Sequence, residues 1–248
     1  MENKRIKVFG VPGGEDQQGT PDDFFYYCTD LMYVIIHQPK KNYKVPQIFT
    51  VNGEYGPALT LKKCREGFPQ HFETFVNGSM INLKNVLEFE KTSLGAKVHF
   101  KCGSPIEISD YILESKPWES LLEQAKQDIE DDRWIPTIEF KGRRKKGEAE
   151  LIRVQDINIV ESCEPKANYH VPLYVTSSGN YVEALTLQAY KTVFPKLFPF
   201  LNSNLVNVDQ VERITDLKYD LVVSFKGSEL KTSMGHKYKK YFPELIAK

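Results

Sequence analysis

The sequence predicts a mainly β protein with short helices, built as two tandem copies of one β unit joined by an amphipathic helix. Three observations carry that expectation. The phrase "GEYGPALTLKKCREGFP" at 53–69 returns as "GNYVEALTLQAYKTVFP" at 179–195. Runs of β-branched and aromatic residues bounded by Gly, Asn and Asp recur in both halves in the same order. Between the halves lies "KPWESLLEQAKQDIEDDRW", the longest stretch with a helical apolar period.

Sliding the chain against itself by 126 residues makes 11 of the 25 positions from 45 to 69 identical. Chance at average composition gives about one or two. The register reaches upstream, where Asp30 meets Asp156 and Asn42-Tyr43 meets Asn168-Tyr169. With one residue dropped, "FVNGSMINLKNV" at 75–86 lies over "FLNSNLVNVDQV" at 200–211. A match this long is a duplication. The copies occupy about 25–115 and 151–248, with an N-terminal tail at 1–24 and a connecting helix and basic loop at 116–150.

Each copy reads mostly as strand. "LMYVII" and "INIVES" are β-rich, and the runs 43–51 and 169–177 lead into Gly-centred turns. Leu61, Cys64 and Phe68 repeat at helical spacing, as do Leu187, Tyr190 and Phe194, and a proline closes each segment, so a short helix is expected at both places. Hairpin turns are expected at 94–97 and 217–220. In the connector, Trp118, Leu121, Leu122, Ala125 and Ile129 share one helical face over about 118–130, and 135–140 reads as a further strand. The tail, with "GVPGGEDQQGTPDD", reads as mobile. Its glycines lack the Gly-Lys-Ser/Thr of a phosphate cradle.

Composition excludes several classes. With 41% hydrophobic and 27% charged residues the chain has the makings of a packed core. No apolar run is long enough to span a bilayer and no secretory signal opens the chain, so a cytoplasmic protein without membrane partners is expected. The four cysteines show no framework spacing and are expected as reduced thiols. No nucleophile elbow or metal-ligand spacing occurs, so neither an enzyme nor a cofactor or metal site is expected. Thirty-three basic residues balance 33 acidic ones, which argues against a general nucleic-acid coat. Residues 151–248 are mildly basic, however, with the charge gathered at Lys237, Lys239 and Lys240.

The order strand, strand, Gly-Tyr turn, short helix closed by Phe-Pro, Asn-bearing segment, hairpin and closing strand resembles the LytTR DNA-binding domain of bacterial response regulators. The second copy carries the resemblance best, through "YVTSSGNYVEALTLQAYKTVFPKLFPFLNSNLVNVDQVERI" and "LVVSFKGSELKTS". The resemblance implies two elongated LytTR-like β units and a transcriptional regulator without a receiver domain. Its partners would be double-stranded DNA, at direct-repeat sites, and other regulators. The implied reading loop holds Asn202, Ser203 and Asn204, whose amides can pair with adenine edges. Asn77 stands at the corresponding place in the first copy. Asn and Ser also favour tight turns, so the structural reading stays open. His236, Lys237, Lys239 and Lys240, with Lys218 in the hairpin, suit phosphate contact, as does the dense run Arg143, Arg144, Lys145 and Lys146. The family's reading His falls on Leu201 and Val76, and no Arg follows Ser233 or Ser109. Those departures support the alternative, a duplicated protein-interaction or sensory module that does not read DNA sequence.

Overall fold

The computed structural model describes residues 6–13, 20–40, 43–74, 79–128, 131–142, 146–166, 169–201, 203–217 and 220–247. The N-terminal segment supplies β1 (Lys7–Phe9), β2 (Val11–Pro12) and β3 (Phe25–Tyr27). The first copy continues with β4 (Leu31–Lys40), β5 (Tyr43–Thr50), β6 (Gly53–Gly56) and helix α1 (Leu61–Gly67). Then come β7 (Phe72–Thr74), β8 (Met80–Asn82), β9 (Val86–Thr92), β10 (Gly95–Phe100), β11 (Ile106–Ser109) and α2 (Asp110–Glu114). The connector holds α3 (Trp118–Ala125), β12 (Arg133–Phe140) and β13 (Lys146–Arg153). The second copy repeats the order as β14 (Ile157–Lys166), β15 (Tyr169–Thr176), β16 (Asn180–Glu183), α4 (Leu187–Val193), β17 (Leu197–Leu201) and β18 (Asn204–Asn207). It closes with β19 (Val211–Leu217), β20 (Asp220–Phe225), β21 (Lys231–Met234) and β22 (Ile246–Ala247). The protein is mainly β with short helices, as the sequence predicts.

The repeated phrase has a local explanation residue by residue. Thr50 and Thr176 close the turn by donating from their hydroxyls to the Gly53 and Gly179 carbonyls, at 3.0 and 3.1 Å. Thr60 and Thr186 cap the short helices, their hydroxyl oxygens accepting from the Lys63 and Ala189 N–H groups at 3.2 Å each. Ala58 and Ala184 are fully buried just ahead of those caps, and Phe68 and Phe194 are buried just beyond the helices.

The sheets then depart from the expected plan of one unit per copy. β8 of the first copy pairs with β14 of the second, Ile81 lying opposite Ile159. In return β18 of the second copy pairs with β4 of the first, Val206 lying opposite Tyr33. The two copies have exchanged their C-terminal halves, and the crossing segments are 57–60 and 184–186. One composite unit therefore joins β4–β6 to α4 and β17–β21. The other joins β14–β16 to α1 and β7–β11.

The cores follow the exchange. Tyr33 and Phe49 of the first copy stack at 4.4 Å, and Tyr33 also stacks on Phe225 of the second at 5.2 Å. In the partner unit, Ile159 and Val175 of the second copy close over Val98, Phe100 and Trp118. Cys64 of α1 and Phe68 just after it pack on Val160 and Tyr174, while Ala189 and Tyr190 of α4 pack on Val34 and Ile48. Two buried asparagines stitch the seams. Asn82 donates to the Ile157 carbonyl at 2.9 Å, and Asn207 donates to the Leu31 carbonyl at 2.8 Å. Leu31 and Ile157 are partners under the 126-residue shift, so the seams are equivalent.

The N-terminal segment is also not a tail throughout. β1 lies in the nine-stranded sheet between β3 and β12, and the order continues through β16, β15, β14, β8 and β7. Phe9 is buried, with its ring 6.1 Å from Phe24 and 5.0 Å from Phe68. Gly67 permits this approach, because a Cβ there would meet the Phe24 ring at 2.4 Å. The expected basic loop is shorter than read, since β13 begins at Lys146 and pairs back onto β12. Helix α3 ends at Ala125, and Ile129 lies outside the described residues. All four cysteines are free thiols, with Cys64 buried.

At the crossing sits Glu183, 2% exposed. Its Oε2 accepts from the Tyr174 hydroxyl at 2.8 Å, its Oε1 has no hydrogen-bond partner among the described residues, and the Ala58 N–H lies near the same carboxyl. Burial pushes the Glu183 carboxyl up to about 8, against the Tyr174 hydrogen bond and the nearby Ala58 N–H, which favour its ionised form.

Candidate nucleic-acid interface

The candidate surface lies where β17, β18 and β21 meet the C-terminal turn. Asn204 is 2% exposed. Its Oδ1 accepts from the Leu201 N–H at 2.7 Å, and its Nδ2 donates to Thr232 Oγ1 at 3.0 Å and the Ser233 carbonyl at 2.9 Å. This is a correction to the base-reading role, since all the bonding of the amide is turned inward. Asn204 ties the 201–204 loop to β21, and Asn204→Ala should cost about 2 kcal/mol in urea unfolding. Ser203 remains exposed at the tip of the loop.

The loop and the turn share a backbone clasp. The Gly235 N–H donates to the Phe200 carbonyl at 2.8 Å, which starts the 3-10 turn His236–Tyr241 beside the loop. Phe242 anchors the turn, its ring 5.2 Å from Phe198 and 5.1 Å from Phe200. His236, Lys237 and Lys240 face solvent. Each of the two lysines lies against a neighbouring ring, Lys237 Nζ 4.8 Å from the centroid of Tyr238 and Lys240 Nζ 5.1 Å from that of Tyr241. Lys–aromatic interleaving of this kind leaves the charge outward over an apolar stem. Lys239 differs. Its ammonium bonds Asp216 Oδ2 at 2.6 Å, and that hydrogen bond holds the Asp216 carboxyl below the usual range.

The structure brings Ser203, His236, Lys237 and Lys240 together and assigns Asn204 and Lys239 to internal bonds. Asn202, Lys218, Asn77, Arg143, Arg144 and Lys145 lie outside the described residues, and of Lys146 only the backbone, in β13, is described. In the other composite unit the turn after the closing strand is α2, whose first residue is Asp110 and last is Glu114. The sign of the charge is reversed there. The Lys-Tyr-Lys-Lys-Tyr order was readable in the sequence, whereas the inward aim of Asn204 left no signal, since its counterpart one copy earlier is Ser79.

No family model matches the chain and no curated protein matches it. Among solved structures, a LytTr DNA-binding domain aligns with 17% identity over 44% of this chain and 95% of its own, at a TM-score of 0.22. That domain belongs to a Bacillus cereus protein named as a methyl-accepting/DNA response regulator. No described helix is long and apolar enough to cross a membrane.

Proposed function

We propose that the chain is a DNA-binding regulator that contacts duplex phosphates through Ser203 and the 235–241 turn. The observation that carries this reading is the turn clasped to Phe200, which presents exposed Lys237 and Lys240 beside the exposed hydroxyl of Ser203. Phosphate contact needs donors and positive charge rather than a pocket, and it positions the protein without reading sequence. The sequence resemblance to LytTR domains supplies the class of partner. No catalytic step is part of the proposal.

The test is the salt dependence of binding to a short duplex, followed by fluorescence anisotropy with the full chain. Removing two phosphate contacts in Lys237→Gln/Lys240→Gln should flatten the slope of log K against log salt by about 2 and weaken all duplexes alike. Lys239→Gln should change that slope far less, because Asp216 already compensates its charge. Equal slopes for wild type and the double variant would remove the proposal. One observation favours the interaction-module reading of the opposite unit, namely the exposure of Leu94 (82%) and Tyr111 (84%) near acidic Asp110. If Leu94→Ser/Tyr111→Ser left DNA binding unchanged but lost a protein partner, that unit would carry the second role.

A further inference from the structure

The two equivalent seams differ in charge at one place. Beside Asn82 the 3-10 turn Leu83–Asn85 carries Lys84, and the corresponding residue beside Asn207 is Asp209. At Asp209 the charges cancel internally. Lys196 forms an ion pair with its carboxylate, and Lys226 donates to its backbone carbonyl at 2.8 Å.

At Lys84 the cations accumulate instead. A cavity of about 310 Å³ is lined by Lys84, Lys101, Lys126, Asn85 and Asp156, among others. Lys101 occupies the position of Lys226 and makes no ion pair among the described residues. Lys84 donates to the Asp128 backbone carbonyl, which directs its ammonium without neutralising it. Lys126 pairs with Glu123, both side chains being about two-thirds exposed, a contact that water and salt screen. The one carboxylate at the rim, Asp156, is already held by Arg153 through two bonds at 2.9 and 3.1 Å. Three lysines from three separate elements therefore line a space whose single carboxylate, Asp156, is already compensated by Arg153.

We propose that this cavity binds a phosphate group, as a small phosphorylated ligand. Compact, strongly hydrated lysine charges on separate stems suit a phosphoryl oxygen cluster as point charges. The ligand would bridge the first copy, through Lys84 and Lys101, to the connector, through Lys126. Asn85 in the same wall donates to the Gln155 and Ile157 carbonyls at 3.0 and 3.1 Å, so the site lies on the exchange seam. Occupancy would brace the joint between the copies. The inference does not depend on the DNA reading, which rests on the other unit.

The experiment is thermal unfolding and calorimetric titration of the full chain with inorganic pyrophosphate, the ionic strength held constant with sodium chloride. A saturable rise in Tm of about 3–6 °C is expected at ten times the dissociation constant. Lys101→Gln and Lys126→Gln, both exposed and outside the core, should each weaken binding about tenfold. Lys101→Glu should abolish it. A duplex DNA competitor then separates two sources of the phosphate. Displacement of pyrophosphate by duplex assigns the site to a nucleic-acid backbone, which overturns the small-ligand reading, and retention of pyrophosphate beside bound duplex supports it. A rise that does not saturate, or that persists unchanged in Lys101→Glu, would overturn the site altogether.

Discussion

Asn82→Ala and Asn207→Ala should each lower the unfolding free energy by about 2–3 kcal/mol, and together by about 5. Each side chain is nearly unexposed, 0% for Asn82 and 4% for Asn207. Losing Asn82 leaves the Ile157 carbonyl with the longer bond from Asn85 alone and removes the acceptor for the Lys84 N–H at 3.1 Å. Losing Asn207 strands the Leu31 carbonyl and the Asp209 N–H. The sites share no partner, so their costs should add. A sum near 5 kcal/mol is a large part of the stability of an ordinary domain. Urea unfolding followed by circular dichroism and tryptophan fluorescence would check it. Because each copy completes the other, one transition with an unchanged m-value is expected, its midpoint shifted by either substitution. Two separable transitions, each moved by only one variant, would show that the copies fold as independent bodies.

The second large effect is a dependence on pH carried by Glu183. Its folded pKa, about 8, lies above the ordinary value of 4.5, because burial disfavours the carboxylate. The folded state therefore keeps a proton that the unfolded chain releases. Stability from this group is full below about 4.5, falls as pH rises, and is lost above about 8. At about 1.4 kcal/mol per unit, the span is on the order of 5 kcal/mol. The groups facing it are Tyr174 from β15, Cys64 from α1, Tyr190 from α4 and Tyr26 from β3, all pushed upward by burial and so neutral through this range. His71 works in the opposite sense. Burial and then Lys84 depress its pKa, so its contribution is lost as pH falls. Glu183→Gln isolates the carboxyl. The variant should approach wild type near pH 5 and exceed it in urea midpoint near pH 9. Parallel profiles across that range would remove Glu183 as the source.

Much of this fold could be read from residues. The mainly β character, both short helices, the strand at 135–140 and the helix starting at Trp118 follow from period and punctuation. The exchange could not be read, for a physical reason. A strand such as β8 buries Met80 and Ile81 equally well against either copy of its partner, because the duplicated partner presents the same apolar alternation. Only the crossing segments differ between the two outcomes, and they are a few residues long. β1 escaped notice because a three-residue strand carries too little period to register. At the candidate interface the cationic, aromatic run was visible, but Asn204 and Lys239 were not separable from it. Their partners, Thr232 with Ser233 and Asp216, are more than 20 residues away in sequence. Glu183 was equally silent, since a glutamate between Val182 and Ala184 reads as surface until tyrosines cover it.

The crossing at Ala58 and Ala184 has a consequence for how the molecule could diversify. Two separate chains that exchange halves form a homodimer, and every surface of such a dimer must occur twice. Here the exchange is closed within one polypeptide, which keeps each half at a high effective concentration for its complement at any dilution. Mirror-image duties are then no longer enforced. One face can keep Lys237 and Lys240 while its counterpart turns to Asp110 and Glu114, and one seam can hold Asp209 where the other holds Lys84. Symmetry survives in the backbone, where it fixes the architecture, and is broken in the side chains, where two different tasks can be written.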